Sequence, residues 1–194
     1  MNFWGEKDTS VNFCEKEYIK SKYIAEYYNT LSGFLYILVG LIYINTKIKR
    51  IALCSVILGI GTMILHMTQR YYGQILDEMA MLSLCYFILN KFNKNKYPIK
   101  FYYLITFIYL KFYTTFMVFL SIFTILILSL FYESLKIKKK SGYSKLFICI
   151  MSLGSIAWLM DQLFCEYVKE YYLHAVWHLM TSISILIGFI LLND

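Results

Sequence analysis

Seven apolar stretches, at roughly 30–46, 51–68, 76–90, 98–111, 113–132, 144–163 and 173–192, follow one another with only short polar gaps. An apolar run of about 20 residues can cross a ~30 Å hydrocarbon core as a helix, which satisfies its own backbone hydrogen bonds in lipid. The succession therefore predicts an all-α integral membrane bundle of seven transmembrane helices. Between 98 and 132 the apolar run is interrupted in its interior only by Lys111. As one helix it would be about 50 Å long, too long for a single crossing, so two helices with a tight connection near Lys111–Thr115 are expected. Composition agrees: 59% of the 194 residues are hydrophobic, with one proline and a mean hydropathy of +0.56, which excludes an ordinary soluble domain. The chain shows no internal repeat and no linker rich in Pro, Gly or Ser. It divides into an N-terminal segment, 1–29, packing on the bundle, and the seven-helix domain, 30–192. Residues 1–29 hold no apolar core of the kind a cleavable signal peptide needs, so the first span is expected to act as the insertion signal.

The formal charge of +7 is distributed by side rather than along a face. Under the seven-span count, the side opposite the N-terminus holds 12 of the 19 basic residues and only two acidic ones, Glu133 and Asp194. The N-terminal side holds the other seven basic residues and ten acidic ones. The positive-inside rule makes the first side cytosolic, so the N-terminus is lumenal or extracellular and the C-terminus cytosolic. Basic residues confined to short gaps between apolar runs do not suggest nucleic acid as a partner, and no obligate protein partner is evident.

The chain has only three histidines. His66 lies near the N-terminal-side end of span 2, and His174 and His178 open span 7 on that same side. Residues at i and i+4 share a helix face, so His174 and His178 can ligate one ion, and His66 supplies a third imidazole at matching depth. A His₃ set leaves one tetrahedral position open, the pattern of catalytic rather than structural zinc. The alternative, histidines satisfied in helix packing, does not account for all three meeting at one depth; ionisable groups inside a membrane are costly and usually functional. Asp77 and Asp161 lie at the same level. Asp77 could serve as general base or orient a ligand, and Asp161 could hold a histidine tautomer from behind. Glu78 and Glu166 read as solvated helix ends. Thr62, one turn before His66, could donate to a developing oxyanion or equally bond its own helix backbone.

In the N-terminal segment, Asn12, Glu15, Glu17 and Glu26 collect three carboxylates and an amide. Such oxygens suit calcium, although ordinary surface charge is the stronger reading from composition alone. Cys54, Cys85 and Cys149 fall within spans and read as buried thiols. Cys14 and Cys165 lie outside the apolar core on the same side, where an oxidising lumen permits a disulfide.

These residues sit in three blocks. "FWGEKDTSVNFCEKEYIKSKYIAEYYNTLS" (3–32), "GIGTMILHMTQRYYGQILDEMAM" (59–81) and "LHAVWH" (173–178) occur in order along the whole chain. Together they resemble the alkaline ceramidases, seven-span membrane hydrolases of a superfamily that also includes Per1-like and adiponectin-receptor-like proteins. The resemblance implies zinc held by His66, His174 and His178, water activation by Asp77, and oxyanion stabilisation by Thr62 in place of the family's serine. It implies a calcium site from Asn12, the carbonyl of Phe13, Glu15, Glu17 and Glu26, and a Cys14–Cys165 disulfide. The expected activity is hydrolysis of the ceramide amide to a sphingoid base and a fatty acid. The substrate would be ceramide, dihydroceramide or phytoceramide, reached from the bilayer of an endoplasmic reticulum or Golgi membrane. Asn12 stands where the family usually has Asp, Glu17 where it has Asn, and Ala80 where it has Pro. Three rivals are another lipid hydrolase of the superfamily (a phospholipase of lipid-anchored proteins), a seven-span lipid-binding receptor, and a transporter or channel with structural zinc.

Overall fold

The computed structural model describes residues 3–94 and 96–193; Asp194, counted above among the charges of one side, lies outside them. Among the described residues the fold is all-helical, without strands. The helices are α1 (Tyr27–Ser32), α2 (Phe34–Tyr43), α3 (Lys49–Thr68), α4 (Tyr71–Phe92), α5 (Ile99–Lys111), α6 (Phe116–Leu135), α7 (Ser141–Leu163), α8 (Cys165–Val168) and α9 (Leu173–Leu192). Short 3₁₀ turns at Lys138–Lys140 and Lys169–Tyr171 precede α7 and α9. Every apolar stretch in the sequence corresponds to helix. The chain breaks between α5 and α6 at residues 112–115, where the length argument required it.

Four helical segments are long and apolar enough to cross a membrane: Lys49–Thr68, Phe116–Leu135, Lys138–Leu163 and Leu173–Leu192. The others differ for local reasons. Gly33 separates α1 from α2, which has only 10 residues. α5 has 13 residues, about 20 Å of helix. α4 has 22 residues but carries Asp77, Glu78 and Lys91. The outward faces are apolar: Ile57, Leu104, Phe107, Ile125, Leu128 and Leu153 are all exposed. So continuous an apolar surface matches lipid, and the molecule is a membrane protein.

Hydroxyls within these helices bond carbonyls one turn back, as Thr62 to Leu58 (2.9 Å), Ser155 to Met151 (3.0 Å) and Thr181 to Trp177 (2.7 Å). That local satisfaction lets polar side chains sit in apolar helices at low cost. α3 packs chiefly on α4 and α2, and α7 on α9. Glycines set the α3–α4 approach. A Cβ added to Gly61 would lie 2.8 Å from the Asp77 backbone nitrogen, and one on Gly73 would lie 2.7 Å from the Leu65 backbone. α3 ends at Gln69 in the left-handed region (φ 54°), and α4 starts two residues later. The tight reversal sets Asp77 beside the last turns of α3.

The N-terminal segment lies across this reversal. Asp8 accepts the Tyr71 N–H at the start of α4 (2.6 Å) and pairs with Arg70 (3.0 Å). Ser10 and Gln74 exchange two hydrogen bonds (2.9 and 2.6 Å), and the Ala25 and Glu26 N–H groups donate to the Met67 and His66 carbonyls. Cys14 and Cys165 form a disulfide with Cα atoms 5.3 Å apart, tying the segment to the connection before α9.

Candidate active site

The last turns of α3 and the first of α9 bring the three histidines together. Their rings lie 4.6 to 5.1 Å apart, centroid to centroid, and one nitrogen from each falls within 4.8 Å of the others. All three are buried. Among the described residues this is the one set of three or more His, Cys, Asp or Glu ligand atoms gathered so closely. No ring is committed at both nitrogens. His66 Nδ1 lies 2.6 Å from Glu26 Oε2, His178 Nδ1 lies 2.7 Å from Ser32 Oγ, and His174 Nδ1 is buried without a hydrogen-bond partner. Three imidazoles with uncommitted nitrogens, two of them oriented from behind, could hold a metal ion.

Asp77 and Thr62 meet across the glycine-mediated contact, with Thr62 Oγ1 2.5 Å from Asp77 Oδ1. Both line a cavity of about 450 Å³ together with the three histidines. The remaining wall is largely apolar, with Phe116, Phe119, Phe123 and Trp177, and also includes Glu78, Thr124, Ser152 and Ser155. Leu128 and Ile156 also line it while standing 60% and 55% exposed, so the cavity reaches the outer surface between α6 and α7.

The other expected positions behave differently. The ring of Phe13 faces the site: it packs 4.6 Å from the His66 ring and 4.2 Å from His174. Asp161 reaches no imidazole; its carboxylate accepts the backbone N–H groups of Cys14 (3.3 Å) and His174. It therefore places the start of α9 against the N-terminal segment. At the expected calcium positions the three carboxylates have partners within the chain. Glu15 accepts the Tyr28 and Asn29 N–H groups on separate oxygens (2.7 and 2.8 Å). Glu17 pairs with Lys7 (2.9 Å), Glu26 bonds Asn29 Nδ2 (2.9 Å) besides His66, and Asn12 is exposed. Burial pushes the Glu26 carboxyl up to about 8, against the pull of the Asn29 amide and the Lys7 charge, and a cation held by His66 would return it to the charged form.

Sequence reasoning missed Glu78 and Ser32 as site residues and gave Glu26 a different role. Glu78 is a buried group, bonded by Gln74 Nε2 (2.8 Å), and not a solvated helix end. Ser32 supports His178, and Glu26 supports His66. Ser32 and Glu26 stand in the quoted N-terminal block, but nothing in their spacing ties them to histidines 146 and 40 residues away.

Comparison with known proteins bears on the same residues. The ceramidase family model matches residues 5–193. Alkaline ceramidase 3 of Mus musculus is 26% identical over 94% of this chain and 82% of its own length. The alkaline ceramidase of Arabidopsis thaliana is 28% identical over the same shares, 94% and 82%. The alkaline ceramidase of Drosophila melanogaster is 26% identical over 90% of this chain and 72% of its own length. With its histidines, Asp77 and the apolar cavity all inside the matched region, this chain belongs to the ceramidase family of hydrolases.

Proposed function

We propose that this protein hydrolyses the amide bond of ceramides at the histidine trio, with zinc as its metal, releasing a sphingoid base and a fatty acid. The observation that carries the reading is the trio's place, beside Asp77, at one end of an apolar cavity that reaches the surface between α6 and α7. A substrate with two long chains can enter such a cavity from the bilayer, so its apolar part never has to cross water.

Zinc held by His66, His174 and His178 would supply Lewis acidity and a nucleophilic water at neutral pH. The chain does the rest. With Nδ1 protonated, His66 donates to Glu26 and His178 to Ser32, which leaves Nε2 of each ring free as an electron-pair donor. Asp77 accepts the proton of the attacking water and passes it to the leaving nitrogen. Thr62 has one hydroxyl proton and two acceptors within reach, Asp77 Oδ1 and the Leu58 carbonyl. When Asp77 is ionised, Thr62 can donate to it; when Asp77 is protonated, Asp77 donates to Thr62 and Thr62 donates to Leu58. Thr62 thus holds Asp77 in both states of the cycle, and donation to an oxyanion would require releasing one of these bonds.

The same reading places seven crossings in the bilayer, with the N-terminal segment on the lumenal side of an endoplasmic reticulum or Golgi membrane. The connections rich in lysine, 44–50, 91–100 and 136–145, lie at the ends of α3, α4 and α7 remote from His66, Asp77 and Asp161, as a cytosolic face requires. The Cys14–Cys165 disulfide suits an oxidising compartment on the other face.

The test is fatty-acid release by the purified protein from ceramide, dihydroceramide and phytoceramide, with phospholipids as the competing class. Metal content is measured on the same samples. Asp77→Asn should retain zinc and lose about 10²–10⁴-fold in kcat. His178→Ala should lose both metal and activity. Ceramide hydrolysis that persists in metal-free protein, or turnover of phospholipid alone, would defeat the reading.

A further inference from the structure

A second, smaller cavity of about 50 Å³ continues the first toward the lysine-rich ends of the helices. Tyr36, Leu58, Met81, Phe123, Ile127 and Trp177 line both. Its deep end is formed by Ile88 of α4, Leu130 of α6, Phe147 of α7 and Ile185 of α9. Ile88 and Ile185 come about two to three helical turns after Asp77 and His178, roughly 10–16 Å along the helices. We propose that this inner cavity seats the end of one alkyl chain of the substrate, and that Phe147 sets how long that chain can be. The proposal rests on the ceramidase reading above.

The wall suits only an apolar group, because its hydroxyls are spent inside the protein. Thr181 donates to the Trp177 carbonyl (2.7 Å), Tyr36 therefore donates to Thr181 Oγ1 (2.5 Å), and Ser184 donates to the Phe147 carbonyl (3.3 Å). An apolar void of this kind stays dry, and while empty it leaves its lining short of contacts. The opening between α6 and α7 gives one chain of a two-chain lipid a way to the bilayer; the inner cavity is the closed end that can take the other. Its volume is less than twice the ~30 Å³ that one water occupies in the liquid, so it takes the last carbons of a chain and not its whole length. Met81, unbranched and flexible, stands in the partition and can swing aside. Phe147 has less freedom: it is buried, its ring lies edge-on to Phe131 at 6.0 Å between centroids, and Gly188 faces it closely. Lipid is as apolar as this cavity, so moving a chain between them gains little. Selectivity must come from exclusion, once a chain is long enough to press on Phe147.

Hydrolysis is measured with the purified full chain on two ceramide series, one varying the acyl chain and the other the sphingoid base. Thermal stabilisation by free fatty acids and sphingoid bases of the same lengths is followed in parallel. One series should show a length limit beyond which kcat/KM falls roughly 10-fold or more, and that series identifies the seated chain. Phe147→Ala should move the limit to longer homologues. Cys85→Leu, which fills the inner cavity from α4, should move it to shorter ones without lowering Tm, and it carries the test if Phe147→Ala does not fold. The readout is the ratio of long to short homologues, which a general loss of activity does not shift. A limit that neither variant moves would sink the proposal, as would the absence of a limit in both series. If no ceramide is cleaved at all, the ceramidase reading fails by itself; the stabilisation series needs no turnover and still shows whether the two variants shift the limit in opposite directions.

Discussion

Glu26 offers the most direct test of how the site is built, because its substitution separates a support for a metal ligand from a calcium ligand. Its side chain is fully buried, and Oε2 lies 2.6 Å from Nδ1 of His66, a ring 1% exposed. A hydrogen bond to a charged acceptor contributes ~1.5–3 kcal/mol, against about 1 kcal/mol for a neutral pair. Glu26→Gln keeps an acceptor and loses the charge, so zinc affinity should fall by roughly tenfold, about 1.4 kcal/mol. Glu26→Ala also leaves the Nδ1–H without a partner in a water-poor site, and the loss should approach ~100-fold. Competition with a fluorescent zinc chelator on the purified protein in detergent gives both values. Glu17→Gln, whose carboxylate touches no histidine, is the control and should leave zinc affinity unchanged. If Glu26→Ala bound zinc within about twofold of the wild type, the reasoning from the His66 contact would be refuted.

Other expectations follow from the same geometry. Gly61→Ala sets a Cβ 2.8 Å from the Asp77 backbone nitrogen; it should cost ~1–3 kcal/mol in stability and reduce turnover while zinc content stays intact, as parallel melting and metal analysis would show. Reducing the Cys14–Cys165 bridge, which spans a sequence separation of 151, should cost ~2–4 kcal/mol and lower Tm by about 5–15 °C. Burial raises the Glu15 carboxyl above its ordinary 4.5, so the folded state binds that proton more tightly than the unfolded one. Stability should then fall as pH rises through and just above 4.5, and Glu15→Gln should flatten that part of a stability–pH profile.

Features that depend on neighbours in sequence were legible without coordinates. The helices follow from the length of each apolar run, and the break before Phe116 follows from a run too long for one crossing. The pairing of His174 with His178 is a consequence of helical pitch, and their meeting with His66 was expected from a count of crossings. Glu78 was misread for a related reason. As an acidic residue close to a helix start it resembled a solvated end, yet α4 begins at Tyr71, six residues before Asp77, and the N-terminal segment covers that turn through Ser10 and Gln74.

Periodicity and hydropathy report which face a residue occupies and how deep it lies; they carry no information on which distant residue stands opposite. Glu26 and His66, Ser32 and His178, and Lys7 and Glu17 became partners only through the fold. The calcium positions show the limit most clearly. Their residue types suit the ion, but spacing along the chain does not say what else each oxygen meets. Here Glu15 and Glu26 face α1 and His66, and Glu17 faces a lysine. Ligand types and helix faces are local properties and were written in the chain; convergence is a property of helix packing, and for Asp77 and Thr62 the close α3–α4 approach at Gly61 and Gly73 decided it.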